Sequence, residues 1–352
     1  MGGTHHVSPR WVRSPRFWVS TVTLLLVAGI VIAAWPTMVD AARSLPLANP
    51  WIMALLVPVQ LASFAVTGEA LFAYLRARGE LRGMRPLTAM RMSLEFNFAN
   101  HMLPSGGAAG ITYASWKLAG MGVPPARGTL AQLARFAVTF VSFSIMLLAA
   151  ATWLLASGQG TPAVLWSAAG VGALALGATG GGALLLRRRR PLHRVAGVVI
   201  RVANWGAHII GRPAVVRTET VVRFFDGLHV ELREILRDPR ALRAPFAWSF
   251  LVHVCDAGLF WIALAAFGLR ADPALVFVAY GLATVASMVV TTPNGVGAYE
   301  VVMIGLLVAG GLPSALTVAA ITLARAILLV GTIVFGWAFY QHSVARGGRR
   351  AP

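Results

Sequence analysis

The chain has 352 residues, of which 57% are hydrophobic and 12% charged, with a mean hydropathy of +0.72. Soluble domains carry roughly 25% charged residues, so this chain lacks the polar material to cover a water-soluble globule of its size. Thirty basic residues against twelve acids give +18, but the apolar residues form long unbroken runs, which excludes a nucleic-acid-binding domain and points to an all-α polytopic membrane protein. Cys255 is alone, which excludes a disulfide framework and a Cys-rich metal site.

In chain order, residues 1–16 form a basic tail, and the first apolar run follows Arg10, Arg13 and Arg16. It lacks a small-x-small cleavage site and reads as a span rather than a signal peptide. About 20 apolar residues cross a bilayer as a helix. Full spans are predicted at Phe17–Trp35, Pro50–Leu75, Thr129–Ala156, Pro162–Leu186, Pro245–Phe267 and Ser314–Tyr340. Two further apolar stretches are broken: residues 87–119 at Pro104-Ser105-Gly106-Gly107, and residues 273–311 at Pro293-Asn294-Gly295. Each is either a re-entrant helix–loop–helix or a pair of short spans, and both options return the chain to the side it left.

Cytoplasmic loops collect Arg and Lys. With the N-terminus inside, segments 1–16, 76–91, 117–127, 187–243 and 341–352 hold 26 basic residues, and the outer segments hold only Arg43 and Arg270. This predicts N-in, C-in. Residues 17–159 then form a first membrane half and 160–340 a second, which contains the basic insert 187–243. Within the insert, Thr220–Leu236 fits an amphipathic helix, expected to lie in the headgroup plane as a positive-inside anchor or as a specific lipid or partner site.

The two broken stretches resemble each other. Pro104-Ser105-Gly106 and Gly122-Val123-Pro124 recur as Pro293-Asn294-Gly295 and Gly311-Leu312-Pro313, offset by 189. Leu133-Ala134-Arg135 recurs as Leu323-Ala324-Arg325 at 190, and Glu69 has a counterpart in Asp256 at 187. Because the first break enters from inside and the second from outside, the halves make an inverted-topology repeat, as in many secondary transporters. Irregular backbone at membrane depth is tolerated only where it is buried in protein or lines a cavity. Half-helix N-termini there suit anionic groups.

Ionisable residues at membrane depth are costly and are therefore paired or functional. Glu69, Arg135, Asp256, Glu300 and Arg325 lie within or against spans, while Glu95, Asn97, Asn100 and His101 lead into the first break. Glu69 and Asp256 are expected to pair with Arg135 or Arg325, either as structural ion pairs or as part of a substrate site. An arginine left unpaired would suit a phosphate, whose oxygens match the guanidinium fork. Glu300 either couples to a proton or caps a helix. His101 is either a titrating group or a hydrogen-bonded helix-end residue. His253 and Cys255, two apart, do not share a helix face, so no metal site is expected, and no cofactor is. There is no Walker loop, dinucleotide fingerprint or G-x-S-x-G.

With these motifs, the chain resembles the flippase-like transmembrane family related to the membrane region of lysylphosphatidylglycerol synthase. The resemblance covers about residues 17–340 and rests on Asn100-His101-Met102-Leu103-Pro104-Ser105-Gly106-Gly107 and on Pro293, Gly295, Gly297 and Glu300, with Arg135 and Arg325 in the following spans. Many members carry an Arg soon after the first Gly-rich stretch, where this chain has Gly110-Ile111-Thr112-Tyr113. No aminoacyl-transferase domain accompanies the spans, so the resemblance implies the translocating half and not lipid lysinylation.

The leading expectation is translocation of an anionic phospholipid or glycolipid across the cytoplasmic membrane without ATP hydrolysis by this chain. The expected partners are anionic membrane lipids, with self-association open. The site is expected among Asn100, His101, Pro104, Gly106, Gly107, Arg135, Pro293, Asn294, Gly295, Gly297, Glu300 and Arg325. The alternatives are a glycosyltransferase-type enzyme on polyprenyl-phosphate sugars, for which Asp40 and Asp272 are the available outer acids, and a non-catalytic scaffold subunit.

Overall fold

The structure, a computed structural model, describes residues 39, 43–102, 108–209, 218–289 and 297–347. Proline and glycine punctuate it. Asn49 accepts the amides of Trp51 and Ile52 at 3.0 and 3.4 Å and opens a short helix, α1 (Pro50–Ala54), which leads into α2 (Leu56–Ala77). Then follow α3 (Pro86–Met102), α4 (Ala108–Ala119), α5 (Pro125–Ala156) and α6 (Pro162–Arg187). Two helices of the polar insert, α7 (Arg189–Ile209) and α8 (Thr218–Arg237), precede α9 (Arg243–Ala266), α10 (Pro273–Val289), α11 (Ala298–Ala309) and α12 (Ser314–Gly347). Proline opens α1, α3, α5, α6 and α10, where its missing N–H costs no hydrogen bond.

Among the described residues the fold is all helical, and five stretches are long and apolar enough to span a membrane: Pro50–Ala77, Pro125–Ala156, Pro162–Arg187, Pro239–Ala266 and Ser314–Phe335. They match five of the six predicted spans. The span expected at Phe17–Trp35 lies outside the described residues, as do Pro104, Gly106, Gly107, Pro293, Asn294 and Gly295.

In each broken stretch the helices before and after the break, α3 with α4 and α10 with α11, pack against each other. At 1.5 Å per residue, the twelve residues of α4 or of α11 cover about 18 Å, well short of a bilayer core of about 30 Å. Both legs of each hairpin share one core. Ala89 and Met92 of α3 are buried with Ala114 and Leu118 of α4, and Val276 and Ala279 of α10 with Met303 and Leu307 of α11. The first core also takes Leu71, Phe72 and Leu75 of α2, and the second takes Phe260, Ala263 and Leu264 of α9. Helices α2 and α9 pack along each other at the centre, α3 lies against α12, and α10 lies against α5.

The insert departs from its expected place. Leu228, Leu232 and Ile235 of α8 are buried in the core formed by α2–α5, instead of resting on headgroups. Charge fixes this docking: Arg127 bonds Glu80 at 2.6 Å and Glu231 at 2.9 Å, and Arg78 reaches Glu234 at 3.4 Å. The apolar periodicity was compatible with a bilayer surface or a protein surface, and these acids decide for protein. In α7, by contrast, Trp205, Val198 and Val199 stay exposed.

Candidate functional site

The second break ends at Gly297, whose φ of +96° is one that glycine adopts without strain. Its N–H donates to Glu300 Oε2 at 2.7 Å, so Glu300 turns back to cap the start of α11. The other carboxylate oxygen accepts from Arg325 Nε at 2.9 Å. The Arg325 guanidinium also lies 4.2 Å from the centre of the Tyr299 ring. Glu300 is thus both a helix cap and the counter-ion of Arg325.

Arg135 sits differently. Its Nε donates to Gln132 Oε1 at 3.1 Å, and its guanidinium lies 4.4 Å from the Phe136 ring. Among the described residues no carboxylate pairs with it. It borders a crevice with Thr67, Gly68, Ser93, Phe96, Gly110 and Ile111, which has room for about one water molecule. At Gly68 the backbones of α2 and α3 come close, since a Cβ there would stand 3.0 Å from the Ala89 carbonyl oxygen. Among the described residues, an arginine without a carboxylate partner and a narrow crevice thus meet near the start of α4.

The acids expected to neutralise the two arginines are engaged elsewhere. Glu69 pairs with Arg76, two turns further along its own helix. Asp256 accepts from Ser63 Oγ at 2.6 Å and from the Tyr280 hydroxyl at 3.3 Å. The expected pairing of Glu69 and Asp256 with Arg135 or Arg325 is corrected accordingly: the capping turn brings Glu300 to Arg325, and Arg76 is close to Glu69 in sequence. Asn100 and His101 occupy the last turn of α3, with side chains outside the described residues. Asp272, one of the two outer acids, accepts the Ala274 amide at 2.7 Å as the cap of α10, and Asp40 lies outside the described residues.

One cluster escaped sequence reasoning. Glu95, fully buried, bonds Arg91 at 3.2 Å, the Tyr113 hydroxyl at 3.1 Å and Lys117. Arg91 and Glu95 are four apart, a spacing that places two side chains together on a helix. Lys117, the sole lysine, joins them only because α4 folds back on α3. The cluster staples the two legs of the first hairpin beside the Arg135 crevice.

No curated protein and no solved structure matches the chain significantly. The family of the lysylphosphatidylglycerol synthase transmembrane region, however, matches residues 17–336, which hold both hairpins, Arg135 and Arg325. With five long apolar helices and a match over nearly its whole length, the protein is a multi-pass membrane protein and belongs to that family.

Proposed function

We propose that the protein moves an anionic phospholipid or glycolipid across the cytoplasmic membrane, without hydrolysing ATP, and that Arg135 receives the headgroup. The carrying observation is the difference between the two arginines: Arg325 is neutralised by Glu300, and among the described residues no carboxylate pairs with Arg135. A guanidinium at membrane depth needs an anion, and a phosphate fits its fork.

An inverted repeat explains the difference. Four helix ends support a register of 189. After α2, Gly79 (φ +85°) is followed by a bond from the Glu80 amide to the Leu75 carbonyl, and after α9, Gly268 (φ +74°) by the same bond from Leu269 to Leu264. Gly122 and Gly311 close α4 and α11 in the same way, with Val123 bonded to Leu118 and Leu312 to Leu307. These are Schellman turns. The reciprocal packing of α3 on α12 and α10 on α5 agrees with an exchange of halves about α2 and α9.

At 189, Tyr299 and Glu300 correspond to Gly110 and Ile111. The first half therefore lacks both the ring and the carboxylate that occupy Arg325, and the crevice at Arg135 lies where they would stand. The same register sets Arg135 against Ala324 and Glu69 against Gly258, replacing the offsets of 190 and 187. In this reading the hairpins are re-entrant, the first from the cytoplasm and the second from outside.

Reconstitution tests the proposal. Purified protein in vesicles that contain a fluorescent anionic phospholipid is expected to carry label between leaflets faster than protein-free vesicles do. Absence of movement for anionic phospholipids and glycolipids alike, with and without an ion gradient, would overturn it.

A further inference from the structure

A second polar site, distinct from the Arg135 crevice, joins four helices. Asp256 of α9 is held by a hydroxyl on each side, Ser63 of α2 at 2.6 Å and Tyr280 of α10 at 3.3 Å. His253, one turn earlier on the same face of α9, is 5% exposed and bonds the Thr139 carbonyl of α5 through Nε2 at 3.0 Å. Its other ring nitrogen, Nδ1, is buried and has no hydrogen-bond partner among the described residues. Thr139 lies one turn beyond Arg135 on α5 and also bonds Ser249 Oγ at 3.2 Å.

The groups facing the pair are few. Tyr280 comes from α10 and Tyr299 from α11, with Arg325 of α12 behind Tyr299 and bound to Glu300. From α2 the facing group is the neutral Ser63, and the Glu69 carboxylate on that helix is bound to Arg76. From α5 it is the Thr139 carbonyl. Cys255 adjoins Asp256 in sequence, and Asp238, Arg240 and Arg243 lie at the far foot of α9. Among the described residues no lysine or arginine is bonded to Asp256.

We propose that Asp256 and His253 form a proton-binding site, and that the proton is the ion coupled to the translocation proposed above. The coupling half rests on that reading, and the binding half does not. A half-buried carboxylate that lacks a cationic partner among the described residues, one turn from a histidine with an unused ring nitrogen, can exchange a proton at membrane depth. The chemistry is local. In the ionised state both carboxylate oxygens accept, Oδ1 from Ser63 and Oδ2 from Tyr280. A proton arriving from the aqueous phase on Oδ2 turns that oxygen into a donor, and the Tyr280 hydroxyl must turn from donating to accepting. The reversal resets the contact between α10 and α9, while His253 keeps hold of α5 next to the Arg135 turn. Proton occupancy thereby bears on both hairpins.

Infrared spectra of the full chain in lipid nanodiscs, taken across a pH series, test the binding directly. A protonated-carboxyl carbonyl band that titrates is expected in the wild type and absent in Asp256→Asn. Tyr280→Phe keeps the band and shifts its frequency, which guards against misfolding of the first variant. No titrating band, or the same band in Asp256→Asn, would overturn the site. In vesicles, lipid movement that responds to an imposed pH gradient, and loses that response in Asp256→Asn, supports the coupling. Movement indifferent to the gradient would overturn the coupling alone. No movement at all would overturn the translocation reading and leave the infrared result to decide the proton site.

Discussion

Replacing Arg135 with alanine is expected to slow transbilayer movement of an anionic lipid by about 10- to 100-fold while the protein remains folded. Hydrogen bonds to charged groups contribute about 1.5–3 kcal/mol, and each 1.4 kcal/mol corresponds to about tenfold in rate. Among the described residues the side chain gives up its bond to Gln132 and its stacking on Phe136, so the thermal unfolding midpoint should shift little. Arg135→Lys is expected to fall between the two, since an ammonium keeps the charge and loses the fork. Arg325→Ala should behave in the opposite way. It strips Glu300 of its counter-ion at a half-buried helix cap and lowers stability before it touches transport. Rates from the vesicle assay, set beside unfolding midpoints, separate the two arginines. Equal transport in wild type and Arg135→Ala would remove Arg135 from the site.

The largest stability effect is expected at Glu95. Glu95→Gln leaves Arg91 and Lys117 without their shared anion in a site where the carboxylate itself is wholly buried. Removing one partner of a buried charge cluster typically costs about 3–5 kcal/mol, and the first hairpin should loosen first. Hydrogen exchange should accelerate in α3 and α4, which carry the cluster, ahead of α10 and α11. A double variant, Glu95→Gln with Lys117→Met, should recover much of the loss, because the abandoned ammonium is then gone. If the single variant unfolds at the wild-type temperature, the cluster does not hold the hairpin.

Long-range order was largely legible in the sequence, and local pairing was not. Five of the predicted spans coincide with helices, because some twenty apolar residues bounded by Pro, Gly or Arg leave few alternatives. The Pro-x-Gly and Gly-x-Pro echoes located both hairpins, since the turn at Gly122 and the turn at Gly311 need the same residue type for the same backbone reason. Partner choice failed wherever two candidates had the same charge. Glu69 took Arg76 because two turns of one helix brought it within reach, and the break put Glu300 rather than Asp256 on Arg325. Lys117 looked like a loop residue until α4 folded back onto Glu95. The amphipathic pattern of α8 fixed which face is apolar but not whether lipid or protein covers it. Arg127, Glu80 and Glu231 carried that information as an ion pair between segments about a hundred residues apart in sequence.

The central claim is that an anionic headgroup rests on Arg135 beside the first hairpin. Its most direct test is the experimental structure of the protein in nanodiscs made with anionic phospholipid. The account predicts phosphate density within hydrogen-bonding distance of the Arg135 guanidinium, with the crevice bordered by Thr67, Ser93 and Gly110 widened to admit it, and no such density at Arg325. An Arg135 paired with a protein carboxylate, or headgroup density at Arg325 alone, would contradict it.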